Sequence, residues 1–456
     1  MRRSRVAVLS ALALGFAPGN ATADADEDRL RALEQRIDDL ERDRAERIET
    51  LEARIVELEA QQPQPDTASA DWSRYVRLSG SANASYYYGE SDSPYDDTSF
   101  QIRDARFFVD AEIGRELRAG EQTILRNVGL SFEWDLVRLG MLQNDVGDLY
   151  VDLQGIFDSS WSNLQVGRFQ IPVGEGYLRY GRGFWRNPFI SNVVGAPWWW
   201  DEGVRAYGSD EGASFGYVAS ITAGETPFNV DLDGDSQYTL KLWVEPLPWL
   251  HLSASGLYSG GIGSSTQAAL GAVWLGESWG RAFGSGTDVA NYEDGMAVPD
   301  GPNAIASTYL VAGDAIVEIP ERFRMWLGYG MYDIDSAGSS SADRRLQYWV
   351  AELLLYGGLL SPEIADVYLG LRANGLGTYD ADEGYLLDFR YGSSLGYNMK
   401  SLNAYSVVVG WPVFRHLTLR AEYTHQEIDF VRGTPASIRR NGSNADYFGV
   451  DVGAHF

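Results

Sequence analysis

The chain has 456 residues, a formal charge of −27, 13% aromatic residues, 50 glycines and no cysteine. The acidity argues against a nucleic-acid partner, since phosphate binding needs a basic face. The missing cysteines exclude disulfide staples and thiolate metal sites and suit an oxidising compartment. After residue 25 no stretch is long and apolar enough for a transmembrane helix, whereas abundant Tyr, Trp and Gly suit many strands with aromatic girdles.

Residues 1–23 read as a secretory signal. Arg2, Arg3 and Arg5 form the positive start, Val6 to Ala17 the apolar stretch, and Ala21-Thr22-Ala23 the small-residue cleavage site. The mature chain is then expected to begin near Asp24. Residues 24–60 read as a coiled coil. Leu30, Leu33, Ile37 and Leu40 are spaced 3-4-3, as are Ile48, Leu51, Ile55 and Leu58, and a four-residue stutter separates the two blocks. So narrow an apolar seam cannot bury itself, which predicts self-association. Pro63 and Pro65 end the helix, and residues 61–71 form a linker.

From residue 72 the apolar period becomes two. Ala105, Phe107, Val109, Ala111 and Ile113 alternate with Asp104, Arg106, Asp110 and Glu112; Leu149, Val151 and Leu153 alternate with Asp148, Tyr150 and Asp152. Leu417, Leu419, Ala421 and Tyr423 alternate with Thr418, Arg420, Glu422 and Thr424. Such segments predict an all-β transmembrane barrel with lipid on one face, water on the other and every backbone group paired by closure. About sixteen antiparallel strands fit, with eighteen the alternative, 383–391 an optional extra strand, and the up-down parity failing between 260 and 320. Short turns at Glu245–Trp249, Ile319–Arg322, Gly357–Glu363 and Trp411–His416 read as periplasmic. Phe448, Val450, Val452, Ala454 and Phe456 carry the alternation to the last residue, an ending that resembles the signature read by the assembly machinery of bacterial outer-membrane proteins.

Several segments, in order, resemble the phosphate-selective porin O/P family: Phe100-Gln-Ile-Arg-Asp-Ala-Arg106, Asp148-Leu-Tyr-Val-Asp152, Leu164-Gln-Val-Gly-Arg-Phe-Gln-Ile-Pro-Val-Gly174 and Gly203-Val204-Arg205. The likeness covers residues 72–260. It implies a sixteen-stranded trimeric barrel with an inward-folded third loop and an anion path. The chain departs from that family in its bases, for only Lys241 and Lys400 are lysine. Residues 71–456 carry 27 basic and 49 acidic side chains, which argues for a general pore over a phosphate channel.

The function expected is therefore an outer-membrane porin, passing small hydrophilic solutes and extending to anions such as phosphate, without enzymatic activity or cofactor. Its expected partners are outer-membrane lipid, small solutes and itself, as a homotrimer held by barrel and coiled coil, the latter in the periplasm. The alternatives are a tether from the outer membrane to the cell wall and, further off, an outer-membrane enzyme. The four histidines, His251, His416, His425 and His455, show no motif with a nucleophile, so no catalytic residue is assigned. His425 shares the apolar parity of Tyr423 and is expected at the membrane interface. Selectivity would come from charged side chains at a constriction. Strand parity turns Arg77, Arg106, Arg205, Arg324, Arg372 and Arg420 to the lumen, either as a guanidinium ladder or paired with carboxylates such as Asp104, Asp152 and Glu422. The loop Ile171–Trp200 is the candidate constriction and carries Arg179, Tyr180, Arg182 and Arg186. Trp198-Trp199-Trp200 is expected in the interfacial belt, and Arg168, on the apolar parity, at the rim or on a bulge. Asp231, Asp233 and Asp235 have the spacing of a calcium loop, but Leu242 stands at the twelfth position, and a solvated turn is favoured.

Overall fold

A computed structural model describes residues 75–456 apart from 90–98, 139–140, 177–186, 192, 196–199, 211, 225–235, 261–304, 337–343, 379–398 and 431–443. The expected signal peptide, coiled coil, linker and optional strand 383–391 lie outside the described residues, as do Asp231, Asp233, Asp235, Trp198 and Trp199.

The described residues form sixteen strands. They are β1 (Val76–Gly89), β2 (Ser99–Ala119), β3 (Gln122–Arg138), β4 (Met141–Gln154), β5 (Asn163–Gln170), β6 (Trp200–Ser209), β7 (Phe215–Thr222) and β8 (Gln237–Leu247). There follow β9 (Leu250–Ser259), β10 (Ile305–Ile319), β11 (Phe323–Ser336), β12 (Arg344–Tyr356), β13 (Tyr368–Thr378), β14 (Met399–Phe414), β15 (Leu417–Phe430) and β16 (Asn444–His455). Each pairs antiparallel with the next, and β1 pairs with β16, so the sheet is a closed barrel. Closure leaves no strand edge unpaired. The β9–β10 pairing, Leu250 opposite Val317, restores the up-down order between 260 and 320.

At the seam the Phe456 N–H donates to the Gly80 carbonyl and the Gly80 N–H to the Phe456 carbonyl, at 3.0 and 3.1 Å. The Phe456 ring then covers Gly80 so closely that a Cβ there would lie 2.7 Å from it. Glycine gives the terminal ring its seat.

The alternation sorts side chains as read from the sequence. Leu149, Val166, Val204, Leu240, Val311, Leu327, Val407 and Val450 are exposed on the outer face, while Ser85, Glu133, Asp148, Thr239, Glu422 and Asp451 are buried within. Two rows of rings bound the outer apolar band. One includes Tyr86, Phe100, Tyr258 and Tyr309 toward the long loops; the other includes Trp161, Phe215 and Tyr217 toward the short turns. On β16 the apolar run from Phe448 to Phe456 rises about 27 Å along the strand, or about 20 Å across a sheet tilted at ~40°.

One end of the barrel has tight connections, among them the turns after Ala119, Leu247, Ile319 and Phe414; the other has the long ones. The β5–β6 connection is the third at the long-loop end.

The inner face departs from a uniformly polar wall. Leu310, Trp326, Tyr332, Leu346, Tyr348, Val350, Leu376 and Leu402 are all buried inside the barrel. They form one cluster with Phe169, Ile171, Val173, Val193 and Val194, so the third loop and the strands beside it make the apolar core.

Candidate functional site

The loop between β5 and β6 leaves the wall at Ile171 and returns at Trp200, and its described residues are held to the inner faces of β8, β9 and β11–β16. An irregular segment inside a barrel has no ladder for its backbone groups, so side chains must supply partners. At the root, the Gly174 N–H donates to Ser255 Oγ at 2.8 Å and Lys241 Nζ donates to the Gly174 carbonyl at 2.9 Å. Gly174 itself has φ +65°, a turn that an L side chain rarely adopts. The next residue, Glu175, lies 2.6 Å from Lys241 Nζ and 3.0 Å from His251 Nε2, and accepts from Ser253 Oγ at 2.8 Å. Burial alone would raise the Glu175 carboxyl, yet the hydrogen bond with His251 and the Lys241 charge bring it down to about 2.

Across the barrel the loop meets β13–β16. The backbone N–H groups of Ile190 and Ser191, with the Ser191 hydroxyl, all donate to the Glu422 carboxylate. Arg420 donates to the carbonyls of Asn187 and Phe189 at 2.9 and 2.8 Å, and Tyr368 to that of Pro188 at 2.7 Å. Arg372 donates to the Ser191 carbonyl at 3.0 Å and lies 4.2 Å above the Phe189 ring centroid. Further along, the Val194 N–H donates to Asn374 Oδ1 at 2.6 Å and Tyr332 donates to the Gly195 carbonyl at 2.9 Å. The loop is thus fixed at both ends of its passage by buried polar groups.

The six arginines singled out by parity divide accordingly. Arg372 and Arg420 hold the loop, and Arg420 also forms a fully buried pair with Asp451 at 2.7 Å. Arg106 stands among three carboxylates, Asp104, Glu133 and Asp135, at 3.5, 3.5 and 3.6 Å. Arg205 donates to Gln165 Oε1 and to the Gln170 carbonyl and lies 4.6 Å above the Phe169 ring centroid. Arg324 has a long pair with Glu318, 3.7 Å. Arg77 is exposed at the start of β1, opposite Asp110 in register. Arg179, Tyr180, Arg182 and Arg186 lie outside the described residues.

One other expectation changes. Trp200 is not in the interfacial belt: it is 4% exposed, belongs to the inner cluster and donates from Nε1 to Asp148 Oδ1 at 3.1 Å. A tryptophan at a strand start signals burial as readily as an interface. Arg168 does lie on the outward parity, beside Leu149, where it pairs with Glu202 at 2.9 Å and donates to the Val146 carbonyl. His425 is outward, as read, with Nδ1 2.8 Å from Asp446 Oδ1. Among the described residues no group of His, Asp and Glu is placed to hold a metal.

This barrel is similar in fold to solved outer-membrane proteins. One is the outer membrane channel DcaP of Acinetobacter baumannii, 12% identical over 84% of this chain and 97% of that one, with a TM-score of 0.52. Another is OmpT, an outer membrane protein of Vibrio cholerae, folded in vitro and in its trimer form: 10% identical over 84% of this chain and 99% of that one, TM-score 0.50. OmpT expressed in the outer membrane is 11% identical, over 84% and 97%, again with a TM-score of 0.50. At such identities the likeness establishes the fold. No protein-family model matches the chain, and no curated protein sequence matches it.

Sequence reading missed the loop's anchors: Glu175 and His251 at the root, Glu422, Asn374 and Ser191 across the barrel. Glu422 was visible as a carboxylate on the inner parity, and Lys241 as one of two lysines, but nothing in one strand tells which loop it will hold.

Proposed function

We propose that the protein is a porin: a water-filled channel of a bacterial outer membrane, without enzymatic activity, through which small hydrophilic solutes diffuse passively. The carrying observation is a closed barrel whose outer face is apolar between two aromatic rows and whose interior is charged and crossed by a bonded loop. An apolar exterior of about 20 Å matches the lipid-facing band of such barrels, which is about 25 Å tall. A channel among the similar structures, and a trimer form of another, support the same function and a homotrimeric assembly. Export through the N-terminal leader and a periplasmic coiled coil belong to the same proposal.

The arginines support a general pore over a phosphate channel. Arg372 and Arg420 are bonded to the loop and Arg106 is surrounded by acid, so these guanidiniums do not form a free ladder. Purified, folded protein added to a planar bilayer is expected to give discrete conductance steps. A folded oligomer that gives none would favour the tether, and lipid hydrolysis lost on His425→Ala would favour an enzyme.

A further inference from the structure

Beneath the loop, at the short-turn end, lies a cavity of about 680 Å³ roofed by Asn187 and Pro188. Its size is within the range of small-molecule sites. Its charges are of both signs. Of the guanidiniums on its wall, Arg420 is fully engaged by Asp451 and two loop carbonyls. That leaves Arg324, with 30% of its side chain exposed and only a 3.7 Å contact to Glu318, and Arg415 on an exposed turn. The same cavity is lined by three carboxylates, Glu318, Glu321 and Asp366. Between the charges the wall is apolar and aromatic, with Leu354, Tyr356 and Phe414.

A simple anion would meet three carboxylates here, and a simple cation two guanidiniums, so neither gains across the whole cavity. A molecule carrying both charges on an apolar body would satisfy both sets. We propose that this vestibule is a binding site for small zwitterionic solutes with an apolar or aromatic body, of the chemistry of an aromatic amino acid. Arg324 and Arg415 take the carboxylate, Glu321 and Asp366 take the ammonium, and Tyr356 with Leu354 receives the body. The charges are solvated, so each contact is weak and the affinity expected is on the order of millimolar. Solutes of this kind would be retained at the short-turn exit while smaller ones pass.

The test is calorimetric titration of the full-length, detergent-solubilised protein with three probes: L-phenylalanine, 3-phenylpropanoate and 2-phenylethylamine. L-phenylalanine is expected to bind at least about fivefold more tightly than either singly charged analogue. Arg324→Gln should bring it down to the level of 2-phenylethylamine, and Asp366→Asn should bring it down to the level of 3-phenylpropanoate. Both positions are partly exposed, and retention of the folded band in unheated electrophoresis checks each variant. Absence of L-phenylalanine binding to folded protein, equal binding of all three probes, or indifference to Arg324→Gln would each overturn the proposal. The titration reads binding without conduction, so a protein that binds but gives no conductance steps would sink the channel alone.

Discussion

Glu175 shows how one buried residue sets a measurable pH window. Its carboxyl is held at about 2 in the folded protein, against ~4.3 in an unfolded chain. A depressed value means stability that is full above the unfolded value and lost as the pH falls toward 2, on the order of 3 kcal/mol in all. Glu175→Gln should therefore lower the thermal midpoint at pH 7, and the gap from wild type should narrow between pH 4.5 and 2. A gap independent of pH would show that the Lys241–Glu175–His251 group does not hold the loop by charge. Gly195 makes the same point sterically. Its φ of +84° suits glycine, and a Cβ there would lie 2.5 Å from the Tyr348 Cβ. Gly195→Ala should thus loosen the loop at its Tyr332 bond and lower stability by about 1–3 kcal/mol, read by thermal melting, with noisier single-channel currents.

At the scale of elements, the strands were legible where their two faces differ. In residues 148–153 of β4 and 417–424 of β15 apolar and polar residues alternate, and each faces as its parity says. In β12, Leu346, Tyr348, Val350 and Leu354 point inward while Trp349, Leu353 and Leu355 point outward, so the strand is apolar on both faces. A single-sequence reading sees only a hydrophobic run there, because the inner apolar face exists to receive a loop that is distant in sequence. The loop was legible as an insertion of unusual length, but its anchors depend on contacts more than 180 residues away, such as Ser191 with Glu422 and Arg372. That docking can be tested directly, since the chain has no cysteine of its own. Ser191 Oγ and Ser406 Oγ are 3.2 Å apart, close enough for a disulfide after small adjustment. The double variant Ser191→Cys/Ser406→Cys should cross-link under mild oxidation, detected as a mobility shift reversed by reductant, with conductance unchanged because the loop is already at that wall. A conductance that drops on oxidation and recovers on reduction would mean that the loop spends time elsewhere.

At the scale of the whole molecule, the family resemblance and the charge balance point in opposite directions, and magnitudes decide between them. The resemblance implies an anion path built on luminal bases. Yet residues 71–456 carry 49 acidic against 27 basic side chains, and Arg106, Arg372 and Arg420 are engaged by carboxylates or by the loop. The net charge of residues 71–456 is therefore negative. Its reach is set by screening: about 10 Å at 0.1 M salt, comparable to a pore radius, but about 3 Å at 1 M. Reversal potentials across a KCl gradient should show potassium preferred over chloride near 0.1 M, with the ratio falling toward one near 1 M. Adding phosphate should not shift the reversal potential toward anions. A chloride preference that persists at high salt would require bases lining the pore that salt does not screen.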